Sequence, residues 1–196
     1  MAALDGLSRM NLPNKLTLSR LGFSVVFVAC FYSGFRFRFT IALVIFFGAA
    51  VTDYLDGVIA RRGGLVTDFG KLMDPLADKI LTAAAFICLI GVEALPGWAV
   101  VVMISREFLI TGLRSLAGAK GIVLPAERLG KHKTAWQMAT IIYFLGLLAV
   151  AEWNDAAWLR GAWLLGTYGL VSVTVLLTLY SGIAYLVKNR SLWREC

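Results

Sequence analysis

The stretch DYLDGVIARRGGLVTDFGKLMDPLAD, residues 53–78, holds five aspartates, and four of them, Asp53, Asp56, Asp74 and Asp78, stand in two pairs at the junction of two long apolar runs. Asp53 and Asp56 are three residues apart, and Asp74 and Asp78 are four apart. On helices each pair therefore shares one face. The first pair ends one apolar run and the second opens the next, so two helices can bring four acids to one site. An ionised Asp at the centre of a transmembrane helix costs roughly 2.5–3.5 kcal/mol on insertion scales. Four acids together, with their mutual repulsion, call for a compensating cation. The pattern predicts a divalent metal site at a membrane face.

The rest of the chain supports a membrane setting. Its 196 residues are 59% hydrophobic and 16% charged, with a mean hydropathy of +0.77. Long apolar stretches run over Leu16–Tyr32, Phe39–Ile59, Pro75–Val92, Trp98–Leu116, Ala135–Ala151 and Leu164–Val187. A bilayer span needs roughly 17–25 residues. The expected fold is an all-α integral membrane protein with six transmembrane helices. It forms a single membrane domain over 1–196: an N-terminal interfacial segment at 1–15, a six-helix bundle at 16–187 and a cytoplasmic tail at 188–196.

Lys and Arg placement predicts the orientation. With both termini cytoplasmic, Arg36, Arg38 and Arg160 alone fall outside, and the other sixteen of the 19 basic residues fall inside. The four acids then face the cytoplasm, where nucleotide-activated substrates occur. The +7 net charge follows from this bias and suits an anionic lipid surface or substrate. It requires no nucleic-acid partner. Trp98, Trp153 and Trp158 fall at expected outer helix ends and Trp136 and Trp193 near inner ones, as interfacial anchors do. Cys30, Cys88 and Cys196 match no metal or redox spacing and read as free thiols. Met1–Asn14 lacks the pattern of a cleaved signal peptide.

Within the motif, Gly57 and Ala60 lie within about 60° of Asp53 around a helix, leaving the acid face bare for a bulky ligand. Arg61 sits one turn further on, suited to a phosphate oxygen. Arg62, Gly63 and Gly64 read as a turn, with Thr67 in the returning loop. Gly70 keeps the Asp74 face open, and Pro75 reads as a first-turn residue, where its missing N–H costs little. Helical acids ordinarily form a solvated or ion-paired face, and Arg61, Lys71 and Lys79 are at hand. That reading explains neither the glycines nor the acids inside apolar runs.

The pattern D-x2-D-G-x2-A-R-x8-G-x3-D-x3-D resembles the signature of the CDP-alcohol phosphatidyltransferase family at every defining position. The N-terminal run Asn11–Arg20, the segments at Arg106–Phe108 and Gly112–Arg114, and the run Arg128–Gln137 are similar to bacterial members of that family that make phosphatidylglycerophosphate. The resemblance implies a six-helix membrane enzyme of the bacterial cytoplasmic (inner) membrane, a homodimer, with two divalent cations, Mg2+ or Mn2+. It implies that Asp53, Asp56 and Asp74 are metal ligands and that Asp78 is both a ligand and the general base. Gly57, Arg61 and Thr67 would line the CDP-diacylglycerol site, with Asn14, Thr17 and Arg20 near its nucleotide end. The chemistry agrees: hard carboxylate oxygens suit Mg2+ or Mn2+ beside a diphosphate, and phosphoryl transfer needs one base for the hydroxyl proton.

Arg106 lies inside the fourth apolar stretch, a costly place for a cation. Arg114 follows about 80° around the same helix, and Arg128, Lys131, His132 and Lys133 precede the fifth stretch. A cationic group of this kind suits an acceptor with its own anion. Arg106, Arg114, Arg128, Lys131 and Lys133 are the expected phosphate-binding residues for glycerol 3-phosphate, with Glu107 orienting an arginine. The expected reaction transfers a phosphatidyl group from CDP-diacylglycerol to glycerol 3-phosphate and releases CMP. Inositol phosphate and phosphatidylglycerol are the alternative acceptors. A divalent-cation transporter is the rival of a different class, but it needs polar groups continuing through the outer halves, which are apolar here.

Overall fold

The computed structural model describes residues 12–63, 68–119, 121–122, 128–154 and 156–190; within them, the side chains of 12–18, 53–63, 68–78, 119, 128–129 and 131 are not described. The described residues form helices joined by short turns, with no strand among them. In chain order these are α1 (Leu12–Phe31), α2 (Arg38–Gly63), α3 (Asp68–Gly91), α4 (Gly97–Ala119), α5 (Arg128–Trp153) and α6 (Trp158–Lys188). The all-helical expectation and the number of long helices hold. Two stretches, His132–Trp153 and Trp158–Lys188, are long and apolar enough to cross a membrane, and Ser19–Phe31, Arg38–Thr52 and Lys79–Gly91 are shorter apolar helices.

The chain divides into two compact units, Met1–Ala85 and Phe86–Cys196. In the first, α1 packs on α2. Ser24, Phe27 and Phe31 form the buried stripe of α1, and Ala42, Phe46 and Ala49 that of α2. Both follow the three- and four-residue steps of an inward helix face. The Phe31 and Phe39 rings meet edge-on at 5.1 Å beside the connecting turn, and Phe27 meets Phe46 at 5.9 Å further from it. The pair is therefore antiparallel.

In the second unit α6 packs on both α4 and α5. Residues Gly166–Leu170 of α6 form a π-helical turn, and its first residue, Gly166, is where α6 approaches α5 tightly. A Cβ there would run into the Tyr143 ring and lie 3.1 Å from Phe144, so only glycine lets α6 come this close to α5. The Ala162 carbonyl accepts both the Gly166 N–H and the Tyr143 hydroxyl, the latter at 2.7 Å. Phe144 stacks edge-on against Trp163 at 5.5 Å. Beyond the π turn, Val171, Thr174, Thr178, Ser181 and Tyr185 make the buried stripe of α6.

Two helix ends close in the same way. After α4, Gly121 N–H reaches the Gly118 carbonyl and Ile122 N–H the Ala117 carbonyl, with Gly121 at φ +73°. This is the Schellman arrangement, which favours glycine at the left-handed position. After α3 the same bonds run from Glu93 to Ile90 and from Ala94 to Leu89, but the left-handed residue is Glu93, at φ 56°.

Three local expectations need correction. Pro75 does not open its helix: α3 starts at Asp68, so Pro75 lies inside it. Its ring nitrogen has no hydrogen for the Lys71 carbonyl, so one rung is missing beside Asp74. Arg62 and Gly63 are not turn residues, because α2 continues to Gly63. The first helix begins at Leu12, inside the segment expected to precede the bundle. In all three places hydropathy marks where apolar residues stop, whereas the backbone ladder continues through polar ones.

Candidate active site

Asp53 and Asp56 lie within α2, and Asp74 and Asp78 within α3. Each pair is thus on one continuous helix, with the spacing that shares a face. α2 ends and α3 begins on either side of residues 64–67. At 1.5 Å per residue, Asp56 and Asp53 stand about 10–15 Å from the end of α2, and Asp74 and Asp78 about 9–15 Å from the start of α3. Both acid pairs therefore sit at the same height from the connection, and four residues joining two helices favour antiparallel neighbours. Thr67 falls outside the described residues. Gly57 and Arg61 are on α2, inside the helix that carries the first acid pair.

The α1–α2 register brings a further element to the acids. From the Phe27–Phe46 contact, two helical turns are close to seven residues on each helix. Running α1 backward and α2 forward by that amount puts Arg20 level with Asp53, and three residues more put Thr17 level with Asp56. Both positions continue the stripes that pack α1 on α2. Asn14 lies a further turn toward the start of α1. Ser24 Oγ donates to the Arg20 carbonyl at 2.9 Å, and the Arg20 side chain is half-buried.

The residue types suit a hard divalent cation: Asp53 and Asp56 on α2 and Asp74 and Asp78 on α3 supply carboxylates, the hard oxygen ligands such ions take. Among residues with described side chains, no three His, Cys, Asp or Glu side chains gather as a metal-binding group. The four motif acids lie outside that set.

A second charged group lies in the other unit. Ala99, Val100, Met103, Ile110 and Ala117 are the buried stripe of α4, and Arg106 and Glu107 fall within its period. Their side chains are 12% and 17% exposed. Glu107 Oε1 accepts from Arg106 Nη1 at 3.5 Å and forms an ion pair with Lys133 of α5. Lys133 is 3% exposed. Two of the five expected phosphate-binding cations therefore meet on one carboxylate. The expected role of Glu107 as an arginine partner holds, and the structure adds Lys133 to it. Arg114 is exposed, as is His132. Arg128 and Lys131 are at the start of α5, with side chains outside the described set. α6 closes on this group at Gly182, where a Cβ would stand 3.0 Å from Arg106 Cγ.

Residues 10–185 match the CDP-alcohol phosphatidyltransferase family. The chain belongs to that family. It is 41% identical over 143 residues to a CDP-diacylglycerol–glycerol-3-phosphate 3-phosphatidyltransferase of Bacillus subtilis, covering 67% of this chain and 74% of that protein. It is 38% identical over 137 residues to a protein of the same name from Rickettsia felis, covering 69% and 76%. Similarity to a probable phosphatidylglycerophosphate synthase of Mycobacterium tuberculosis is 35% over 181 residues, covering 91% and 81%. The family is generally dependent on divalent cations.

Sequence reasoning did not single out the buried amide of Gln137 in the second unit. It is 2% exposed and lies one turn beyond Lys133. The signal was available: a glutamine inside the apolar run Ala135–Ala151, four residues from a lysine.

Proposed function

We propose that this protein transfers the phosphatidyl group of CDP-diacylglycerol to glycerol 3-phosphate, forming phosphatidylglycerophosphate and CMP. The observation that carries the acceptor assignment is the burial of Lys133 and Arg106 around Glu107 in an apolar interior. Ionisable residues at such places are costly and mark substrate sites. The names of the relatives point to the same acceptor.

In this reading Asp53, Asp56, Asp74 and Asp78 hold two divalent cations, Mg2+ or Mn2+. When bound, these ions neutralise the diphosphate and stabilise the departing CMP. Asn14, Thr17, Arg20, Gly57, Arg61 and Thr67 bind CDP-diacylglycerol, the glycine leaving room and the arginines meeting phosphate oxygens. Arg106, Arg114, Arg128, Lys131 and Lys133 bind the phosphate of the acceptor. A carboxylate oxygen of Asp78 takes the proton of the attacking hydroxyl. The hydroxyl oxygen then bonds to the phosphatidyl phosphorus, the phosphoanhydride bond breaks, and CMP leaves with the electron pair.

The chain forms a single membrane domain of six spans, with both termini and the site on the cytoplasmic side of a bacterial inner membrane. The protein functions there as a homodimer. Exposed apolar side chains along α6, including Leu165, Tyr168, Leu176 and Ile183, support contact with lipid or with a second copy. The test is CMP release by the purified protein in detergent with CDP-diacylglycerol, a divalent cation and each candidate alcohol. Glycerol 3-phosphate should be used far better than glycerol, inositol phosphate or phosphatidylglycerol. Equal use of unphosphorylated glycerol refutes the acceptor assignment.

A further inference from the structure

Lys133, Gln137 and Thr140 follow one another along α5 at steps of four and three residues, and all three are buried, at 3%, 2% and 0% exposure. This stripe has fixed partners at both ends. Lys133 pairs with Glu107 of α4, and the Thr140 hydroxyl meets the Thr174 hydroxyl of α6 at 2.9 Å. Gln137 stands between them on the same buried stripe of α5.

The neighbouring polar side chains are satisfied locally. Thr178 donates to the Thr174 carbonyl at 2.7 Å and Ser181 to the Thr178 carbonyl at 3.1 Å, bonds to the preceding turn that Ser and Thr in helices commonly make. Of the paired Thr140 and Thr174 hydroxyls, one donates to the other and the second to its own helix carbonyl, Trp136 or Leu170, at 2.8 Å. Gln137 differs: its Nε2 is buried and has no hydrogen-bond partner. A buried amide with two unmet donors is destabilising, and a methionine or leucine at this position would avoid the defect. One helical turn from Lys133, which with Arg106 shares the Glu107 carboxylate, these free N–H donors can meet an incoming oxygen.

We propose that Gln137 is a substrate-binding residue whose Nε2 donates to an oxygen of the phosphorylated acceptor held by Lys133 and Arg106. This rests on the acceptor assignment above and adds to it a neutral donor one helical turn from the cations. Gln137 selects for a polar acceptor oxygen because, without one, its amide remains buried and unmet.

Gln137→Met separates this role from a structural one, since methionine is close in volume and has no donor. With parent protein and variant in the same detergent, the Michaelis constants for both substrates and the melting temperature are measured. Binding of glycerol 3-phosphate is measured separately by calorimetry in the presence of the divalent cation. The variant should raise the KM and Kd for glycerol 3-phosphate by about 2- to 10-fold, the range of one net hydrogen bond. The KM for CDP-diacylglycerol should not change, and the melting temperature should stay level or rise. Gln137→Glu should weaken acceptor binding further, because it replaces the donor with a charge that repels phosphate. Parent-like glycerol 3-phosphate constants in Gln137→Met overturn the proposal, as does a lower melting temperature or a failure to fold. A parent protein that does not use glycerol 3-phosphate instead refutes the acceptor assignment itself.

Discussion

Removing charge from the Glu107 group should give opposite results depending on which member is changed. Glu107 contacts two cations, Lys133 and Arg106, whereas Lys133 can be lost and still leave the Glu107–Arg106 pair. Glu107→Gln therefore removes the negative charge that both cations face, in an interior where Lys133 is 3% exposed and Arg106 is 12% exposed. Breaking a buried ion pair from one side costs about 3–5 kcal/mol. For a chain of this size each kcal/mol moves the melting temperature by about 2–4 °C, so the loss is roughly 6–20 °C. Lys133→Met removes one charge-assisted contact and keeps most of the side-chain volume, for a cost of about 1.5–3 kcal/mol. The function changes in the other order. Lys133→Met loses a cation that binds the acceptor phosphate and should raise the glycerol 3-phosphate KM by about 10- to 150-fold, with little change for CDP-diacylglycerol. The assay is thermal unfolding in detergent beside steady-state CMP release. A Lys133→Met protein that melts as low as Glu107→Gln, or that retains the parent KM, refutes this account of the group.

Asp78→Asn should retain CDP-diacylglycerol binding better than Asp53→Asn or Asp74→Asn, yet lose turnover by about 10²–10⁴, as when a general base is removed; near-parent turnover excludes that role. Gly166→Ala should lower the melting temperature, because its methyl group must displace the Tyr143 ring at a typical overpacking cost of about 1–3 kcal/mol; an unchanged melting temperature contradicts the close approach of α6 to α5. Glu93→Gly should stabilise the turn after α3 by a few tenths to about 1 kcal/mol, since glycine accepts the left-handed backbone that Glu93 adopts; a lower melting temperature contradicts this.

The helices were legible in the sequence because the apolar runs are long and separated by Gly, Pro and charged residues. Their ends were less so. α2 runs on through Arg61 and Arg62, and α3 starts well before Pro75, because polar residues and even an internal proline can continue a helix that hydropathy no longer marks. The close approach at Gly166 was not legible either: the Tyr143 ring that a Cβ there would meet lies on another helix, and no local pattern records that contact. For the site, the acid spacing carried the metal reading, and the adjacency of Arg106 and Glu107 suggested their pairing. That Lys133 shares Glu107, while Arg114 turns to the surface, depends on how α4 and α5 pack.

The central claim, phosphatidyl transfer to glycerol 3-phosphate, is tested most directly by following the attacking oxygen. The purified protein is given CDP-diacylglycerol and glycerol 3-phosphate carrying 18O in its primary hydroxyl, with Mg2+ or Mn2+ present, and the products are weighed by mass spectrometry. Attack on the phosphatidyl phosphorus predicts phosphatidylglycerophosphate that keeps the label and CMP that carries none. Label in the CMP, or phosphatidic acid formed while glycerol 3-phosphate remains unconsumed, contradicts the account.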